Sequence, residues 1–407
     1  MPEKEFHTDI SELPIIIQDY NVKLFDSNEN NKFDIINNIL ETMISNNAFF
    51  IVDLNEIIVR YNLWKELLPN IKPYYAVKCN PDQVLLKLMV ALGMGFDCAS
   101  KNEIALVSNL QADKNKIIYA NPCADYSQIQ YARANDIDLL VFDGENALYK
   151  VKLYHPYAKL VLRIMVDDSY SKCRFNNKFG VDEDYAFELL NLAKTLKLNV
   201  IGVSFHVGSG CSSDKPYSDA IKLARKIFDK GISIGMKMNF LDIGGGFSGK
   251  NRELFENICN TINNELKLFS DIENLEIIAE PGRYFVETTH TLIISVIDKK
   301  MFINKETGEK TFKYYINDGI YGSFNCIPND HAKPIIQPYN ERDGTCFKSI
   351  VFGPTCDSLD TITLDAELPE LAIGESCFVE DFGAYTRASS TTFNGLNQTQ
   401  SVYILKY

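Results

Sequence analysis

The chain has 407 residues, 46% of them hydrophobic and 23% charged, and a formal net charge of −13. That length exceeds one compact core and predicts two domains. The acidic balance argues against nucleic acid and anionic membrane as partners, and the longest apolar runs fall short of the roughly 18 residues that a membrane helix needs.

The N-terminal MPEKEFHTDI has neither an apolar core nor a small-residue cleavage site, so no signal peptide is expected. Ten cysteines are scattered without a C-x-x-C pair, and the five histidines lack metal-ligand spacing. This pattern fits a reduced, cytoplasmic setting and neither a disulfide framework nor a metal site. Residues 1–47 contain one strand candidate, LPIIIQD (13–19), and a polar loop, NENNKF (28–33).

From residue 54 strand-like and helix-like segments alternate. PYYAVKC (73–79), MGFDCAS (94–100), KIIYAN (116–121), DLLVFD (138–143), AKLVLRIMV (158–166), VIGVSFHVG (200–208), FLDIGGG (240–246) and LEIIAEP (275–281) read as strands. Between them, DQVLLKLMVAL (82–92), DYAFELLNLAKTL (184–196) and ELFENICNTINNELKLF (253–269) carry apolar residues at the helical period. Asn80-Pro81 reads as a helix cap and first turn. Such alternation implies parallel strands with right-handed crossovers, and eight units predict an α/β fold of the (β/α)8 TIM-type barrel class over 48–285. A doubly wound open sheet is the competing architecture.

After residue 285 the segments turn short, aromatic and β-branched: TLIISVIDKKMFI, TFKYYINDGIYG, FKSIVFG and SCFVEDFGAYT, with turn signals at KETGEK (305–310) and RDGT (342–345). These predict a C-terminal antiparallel β domain, sandwich- or barrel-like, made of 286–407 together with the N-terminal residues 1–47.

In a parallel barrel the functional groups gather at the C-terminal strand ends. Those ends supply Lys78, Asp97, Arg163, His206, Gly244-Gly245-Gly246, and Glu280 with Pro281, Gly282 and Arg283 of EPGR. Taken singly, a strand-end lysine or aspartate is more often surface than site, and a histidine is as often a satisfied core residue. Three glycines after the seventh strand can turn backbone N–H groups toward a phosphate, and Arg283 adds charge at that corner. A phosphorylated cofactor beside a strand-end lysine suggests pyridoxal 5'-phosphate (PLP), held by Lys78 as a Schiff base. Glu280 is then the carboxylate for the pyridine nitrogen, His206 lies on the ring face, and Ser209 offers a hydroxyl to the phosphate.

PYYAVKCN, FDCASKNE (96–103), SFHVGSGC (204–211), LDIGGGF (241–247), AEPGRY (279–284), YINDGIYGSFNC (315–326), GPTCDSLD (353–360), GAYT (383–386) and TFNG (392–395) resemble the eukaryotic ornithine decarboxylases, in order and from about residue 10 to the end. These are PLP-dependent decarboxylases with an alanine-racemase-like barrel. The resemblance implies decarboxylation of a small cationic amino acid, L-ornithine, to putrescine in polyamine synthesis. It implies a homodimer with active sites shared at the interface. By motif, Cys356 would return a proton to Cα, Asp357 and Asp330 would pair with the distal ammonium, Tyr385 would bind the phosphate and Phe393 would border the substrate. Asn329 stands where the family commonly has tyrosine, which would loosen the pocket at the distal amine. The chain stops at Tyr407, soon after TFNG and without the long tail of vertebrate members, and 125–155 is sparsely basic where they meet their regulator, so an antizyme-like partner is left open. Two alternatives stay beside this reading: a decarboxylase of lysine or arginine on the same fold, and a non-catalytic binding protein like the antizyme inhibitors.

Overall fold

The computed structural model describes residues 13–25, 32–42, 47–340 and 344–406. MPEKEFHTDI, and parts of NENNKF and RDGT, lie outside the described residues. The chain forms two compact units, one around 58–285 and another of 14–57 with 286–407.

The first unit is a closed barrel of eight parallel strands. In chain order they are β1 (Ile71–Ala76), β2 (Gly95–Cys98), β3 (Ile117–Tyr119), β4 (Leu139–Phe142), β5 (Lys159–Arg163), β6 (Asn199–Ser204), β7 (Phe240–Asp242) and β8 (Glu276–Ala279). Each pairs with the next and β8 closes on β1, which excludes the open sheet. Tyr74, Ile118, Leu139, Val141, Val161, Phe240 and Ile278 fill the interior. Most of the strands are shorter than the apolar runs that announced them, because those runs continue into the following loops.

Helix starts between the strands are set by side-chain caps. Asp82 accepts from Val84 N at 2.9 Å and opens the helix Gln83–Ala91. The expected cap, Asn80, instead braces Asp82, its Oδ1 accepting from Asp82 N at 3.1 Å. Ser100 caps Lys101–Asn109, Asp182 caps Glu183–Thr195, and Asn251 caps Arg252–Glu265.

The second unit is a mixed sheet and not the antiparallel one expected. Seven of its nine strands run Lys23–Phe25, Gln400–Lys406, Phe49–Asp53, His290–Ile303, Lys310–Ile316, Phe347–Phe352 and Thr361–Leu368 in spatial order, while Ser376–Val379 pairs with His290–Ile303 and with Gln337–Pro338. Gln400–Lys406 is parallel to both of its neighbours, and Lys310–Ile316 is parallel to Phe347–Phe352. Turn signals report hairpins between sequence neighbours only, so pairings across hundreds of residues left no local trace. Phe49–Asp53 pairs with His290–Ile293. That draws the unit's N-terminal segment out to residue 57, where 47 was expected.

LPIIIQD is the helix Leu13–Asp19, not a strand. Ile16 is buried while Ile15 is 53% exposed, and an apolar run this short fits either period.

Candidate active site

Lys78 does not sit on a strand. β1 ends at Ala76, and Val77–Cys79 form one 3-10 turn that carries the lysine. In the pairing of β1 with β2, Ala76 stands opposite Asp97. The turn then brings Lys78 Nζ to 2.8 Å from Asp97 Oδ2. Asp97 is fully buried, and its other oxygen has no protein partner.

The segment after β6 places His206. Ser171–Cys173 and Ser209–Cys211 form a small antiparallel ribbon, and Ser171 Oγ donates to Val207 O at 2.6 Å. His206 Nδ1 accepts from Gly208 N at 2.9 Å, and Phe175 meets the imidazole edge-on at 5.0 Å. Burial first, then the charges of Lys78 and Arg163, hold this histidine well below its ordinary value, so the ring is neutral near pH 7.

The Gly244–Gly246 loop leaves β7 in a conformation that side chains would obstruct. Gly244 has φ +65° and Gly246 +108°, and a Cβ on Gly245 would lie 2.8 Å from both His206 Nε2 and Glu280 O. The missing side chains keep a backbone-lined cradle open between β6, β7 and β8. Tyr217 fixes its floor by donating to Gly245 O at 3.0 Å. Phe247 anchors the exit in an aromatic cluster with Trp64, Tyr217 and Phe255. Arg283 lies beside the cradle, its Nη2 donating to Ser209 Oγ at 3.1 Å.

Glu280 is buried, and one of its carboxyl oxygens has no protein partner. Burial and the neighbouring Asp242 and Asp97 push its carboxyl well above the usual range. Pro281 is buried behind it, and Gly282 passes so close to the lysine turn that a Cβ would lie 2.9 Å from Cys79 Cβ. Arg163, at the end of β5, has its guanidinium 4.9 Å from the Phe179 ring. The barrel therefore brings Lys78, Asp97, His206, Ser209, the three glycines, Glu280 and Arg283 to its C-terminal strand ends. The strand-end list from the sequence lacks Asp242, the polar residue that ends β7 one position short of the Ile243 that precedes the glycines.

The remaining candidates lie in the sheet unit. Asp357 accepts a hydrogen bond from the Tyr321 hydroxyl, which holds its carboxyl below the usual range. Phe393 stacks on the Tyr321 ring at 4.3 Å, and Cys356 N donates to Asn394 Oδ1 at 3.1 Å. Tyr321 was not singled out in the sequence, and it is the residue that joins Asp357 to Phe393. Asp330 is buried at the end of the helix Cys326–Asp330, beside an exposed Asn329. Tyr385 adopts φ +59°, a backbone conformation uncommon for a tyrosine.

Residues 54–287 match the family model described as pyridoxal-dependent decarboxylase, pyridoxal binding domain. Ornithine decarboxylase of Rattus norvegicus is 44% identical over 371 residues, 88% of this chain and 80% of its own. Antizyme inhibitor 2 of Xenopus laevis is also 44% identical, over 91% of this chain and 84% of its own. Among solved structures, the Paramecium bursaria Chlorella virus arginine decarboxylase superposes with a TM-score of 0.86 at 35% identity, covering 91% of this chain and all of the viral one. The chain belongs to the pyridoxal-dependent decarboxylases. Within that family it is similar to the eukaryotic ornithine decarboxylases, as its motifs led one to expect.

The barrel residues fit the family's cofactor, PLP. Buried oxygens of Asp97 and Glu280 stand without protein partners, and the glycine cradle with Arg283 and Ser209 offers donors for a phosphate. Among the described residues no helix is long and apolar enough to cross a membrane.

Proposed function

We propose that this decarboxylase converts L-ornithine to putrescine and carbon dioxide. The observation that carries this reading is the pairing of Lys78 Nζ with the buried Asp97 at 2.8 Å, in a chain 44% identical to ornithine decarboxylases over most of its length. Bound PLP supplies an electron sink for the pair of electrons left at Cα when the carboxylate departs.

The protein's own groups do the rest. Lys78 would offer the amine that anchors the cofactor, and Asp97 holds that amine in place. Glu280 would accept from the ring nitrogen and keep that nitrogen protonated. Neutral His206 would add no charge beside the ring. The Gly244–Gly246 amides, Ser209 and Arg283 would hold the phosphate, with Arg163 balancing the charge of the carboxyl groups, and the family motif assigns Tyr385 to the phosphate. Cys356 delivers a proton to Cα after carbon dioxide leaves. Asp357 and Asp330 take the distal ammonium by charge-assisted hydrogen bonds, with Phe393 and Asn329 bordering that end. The protein works in the cytoplasm as a homodimer, with Cys356 and Asp357 serving the partner's barrel.

The likeness to antizyme inhibitor 2 favours one second reading, binding of a regulatory protein without turnover. The presence of Lys78, Asp97, His206, Glu280, Arg283, Cys356, Asp357 and Tyr385 weighs against it. Carbon dioxide release from L-ornithine, L-lysine and L-arginine by the PLP-loaded protein separates these outcomes. Release chiefly from ornithine supports the proposal. Release chiefly from another substrate reassigns the distal pocket, and none from any, with PLP bound, transfers the weight to a binding role.

A further inference from the structure

Asp242 ends β7 opposite Ile278 of β8, and Glu280 lies two residues beyond Ile278. The strand ends are locked there by Glu280 N donating to Gly244 O at 2.7 Å. Both side chains are buried, 1% and 7% exposed, and each lies within range of the other's charge. Asp242 Oδ1 accepts from Gly244 N at 2.9 Å, whereas Glu280 Oε1 has no protein partner. Two ionised carboxylates so near each other inside a barrel repel, which favours one proton shared by the pair over two charges. Lys78, Asp97 and Arg163 bear on Glu280, Asp97 and Arg163 on Asp242, and the Tyr74 phenol is also within range of Asp242. The neutral His206 ring stands across Gly245 from Glu280.

Taking Glu280 as the partner of the PLP ring nitrogen, as read above, we propose that Asp242 is a positioning residue that shares one proton with Glu280 and so fixes both the charge and the orientation of its carboxyl. When Glu280 Oε1 accepts from a ring N–H, the proton rests on Asp242, whose O–H donates to the other Glu280 oxygen. Asp242 Oδ1 keeps its bond from Gly244. The ring nitrogen then faces one negative charge held in place from behind, and not two that repel. Burial favours the arrangement, raising Asp242 to about 7 and Glu280 well above its usual range. At alkaline pH the shared proton leaves, the carboxylates separate, and the grip on the ring weakens.

The test is the dissociation constant of PLP, measured by equilibrium dialysis of the loaded protein from about pH 6 to pH 9. Asp242→Leu, close to aspartate in shape, is expected to weaken binding about tenfold or more at neutral pH. Asp242→Asn, whose amide N–H replaces the carboxyl O–H, stays within roughly threefold of the native protein and lacks its alkaline loss. In a Glu280→Gln background, Asp242→Leu adds little further. Native affinity in Asp242→Leu, an unchanged alkaline loss in Asp242→Asn, or an undiminished effect in the Glu280→Gln background would each overturn the proposal; the last would assign Asp242 to shaping the glycine loop. Should Asp242→Leu fail to fold, the pH curve of Asp242→Asn decides alone. Glu280→Gln holding PLP as tightly as the native protein would instead remove Glu280 from its role, and Asp242 with it.

Discussion

Lys78 Nζ and Asp97 Oδ2 lie 2.8 Å apart, one on the turn after β1 and the other inside β2, with the aspartate fully buried. The ion pair holds the amine at the strand ends while leaving the second Asp97 oxygen unpartnered. Lys78→Ala is therefore expected to abolish the visible absorbance of lysine-linked PLP and to leave only free-cofactor absorbance, with the fold retained by circular dichroism. An unaltered spectrum would remove Lys78 from its place.

Glu280 makes stability depend on pH in a defined direction. Its folded-state pKa is raised by burial, so the folded protein keeps a proton that the unfolded chain releases above about 4.5. The unfolded state then binds fewer protons, and the cost to stability sets in above pH 4.5 and is complete only above the folded pKa. Replacing both members of the proton-sharing pair, Glu280→Gln with Asp242→Asn, removes that cost. In cofactor-free protein the double variant's melting temperature should gain on the native protein as pH rises from about 5 to 8, each kcal/mol being worth roughly 2–4 °C. His206, held neutral, costs stability below about 6.5, but it is present in both proteins and cancels from the difference. A difference that stays flat across that range would contradict the buried, proton-holding state of Glu280.

The barrel was legible because each β/α unit repeats the same local grammar: an apolar strand, a polar strand end, and a helix at its own period. Lys78, Asp97 and Glu280 could be picked out as candidates because each stands where an apolar run breaks. What escaped was whatever depends on partners remote in sequence. The parallel pairing of Gln400–Lys406 with Phe49–Asp53 has no local signal. Asp242 looked like a strand terminus until β8 placed Glu280 against it. Tyr321 carried no chemistry of its own until the fold set it between Asp357 and Phe393.

That position makes Tyr321 a test of the distal pocket. Its hydroxyl donates to Asp357 and its ring stacks on Phe393 at 4.3 Å. Tyr321→Phe keeps the stack and removes the one hydrogen bond. If Asp357 reads the distal ammonium, KM for L-ornithine rises about three- to tenfold while PLP affinity holds, the range expected for one such bond. Unchanged KM would show that the carboxylate needs no help from Tyr321, and a parallel loss of PLP would show that the change spread beyond the pocket.

The proposed dimer has a sharper consequence, because Lys78 belongs to the barrel unit and Cys356 to the sheet unit. With sites shared between subunits, a Lys78→Ala chain and a Cys356→Ala chain are each inactive alone but complement each other. Their heterodimer contains one site with both changes and one with neither. Random reassortment makes half of the dimers mixed, so activity should recover to about one quarter of the native level. Sites built within single chains would leave every site in the mixture with one lesion, and no activity would return. Measuring the heterodimer fraction by differential tagging alongside the rate separates a site that is not shared from subunits that do not exchange.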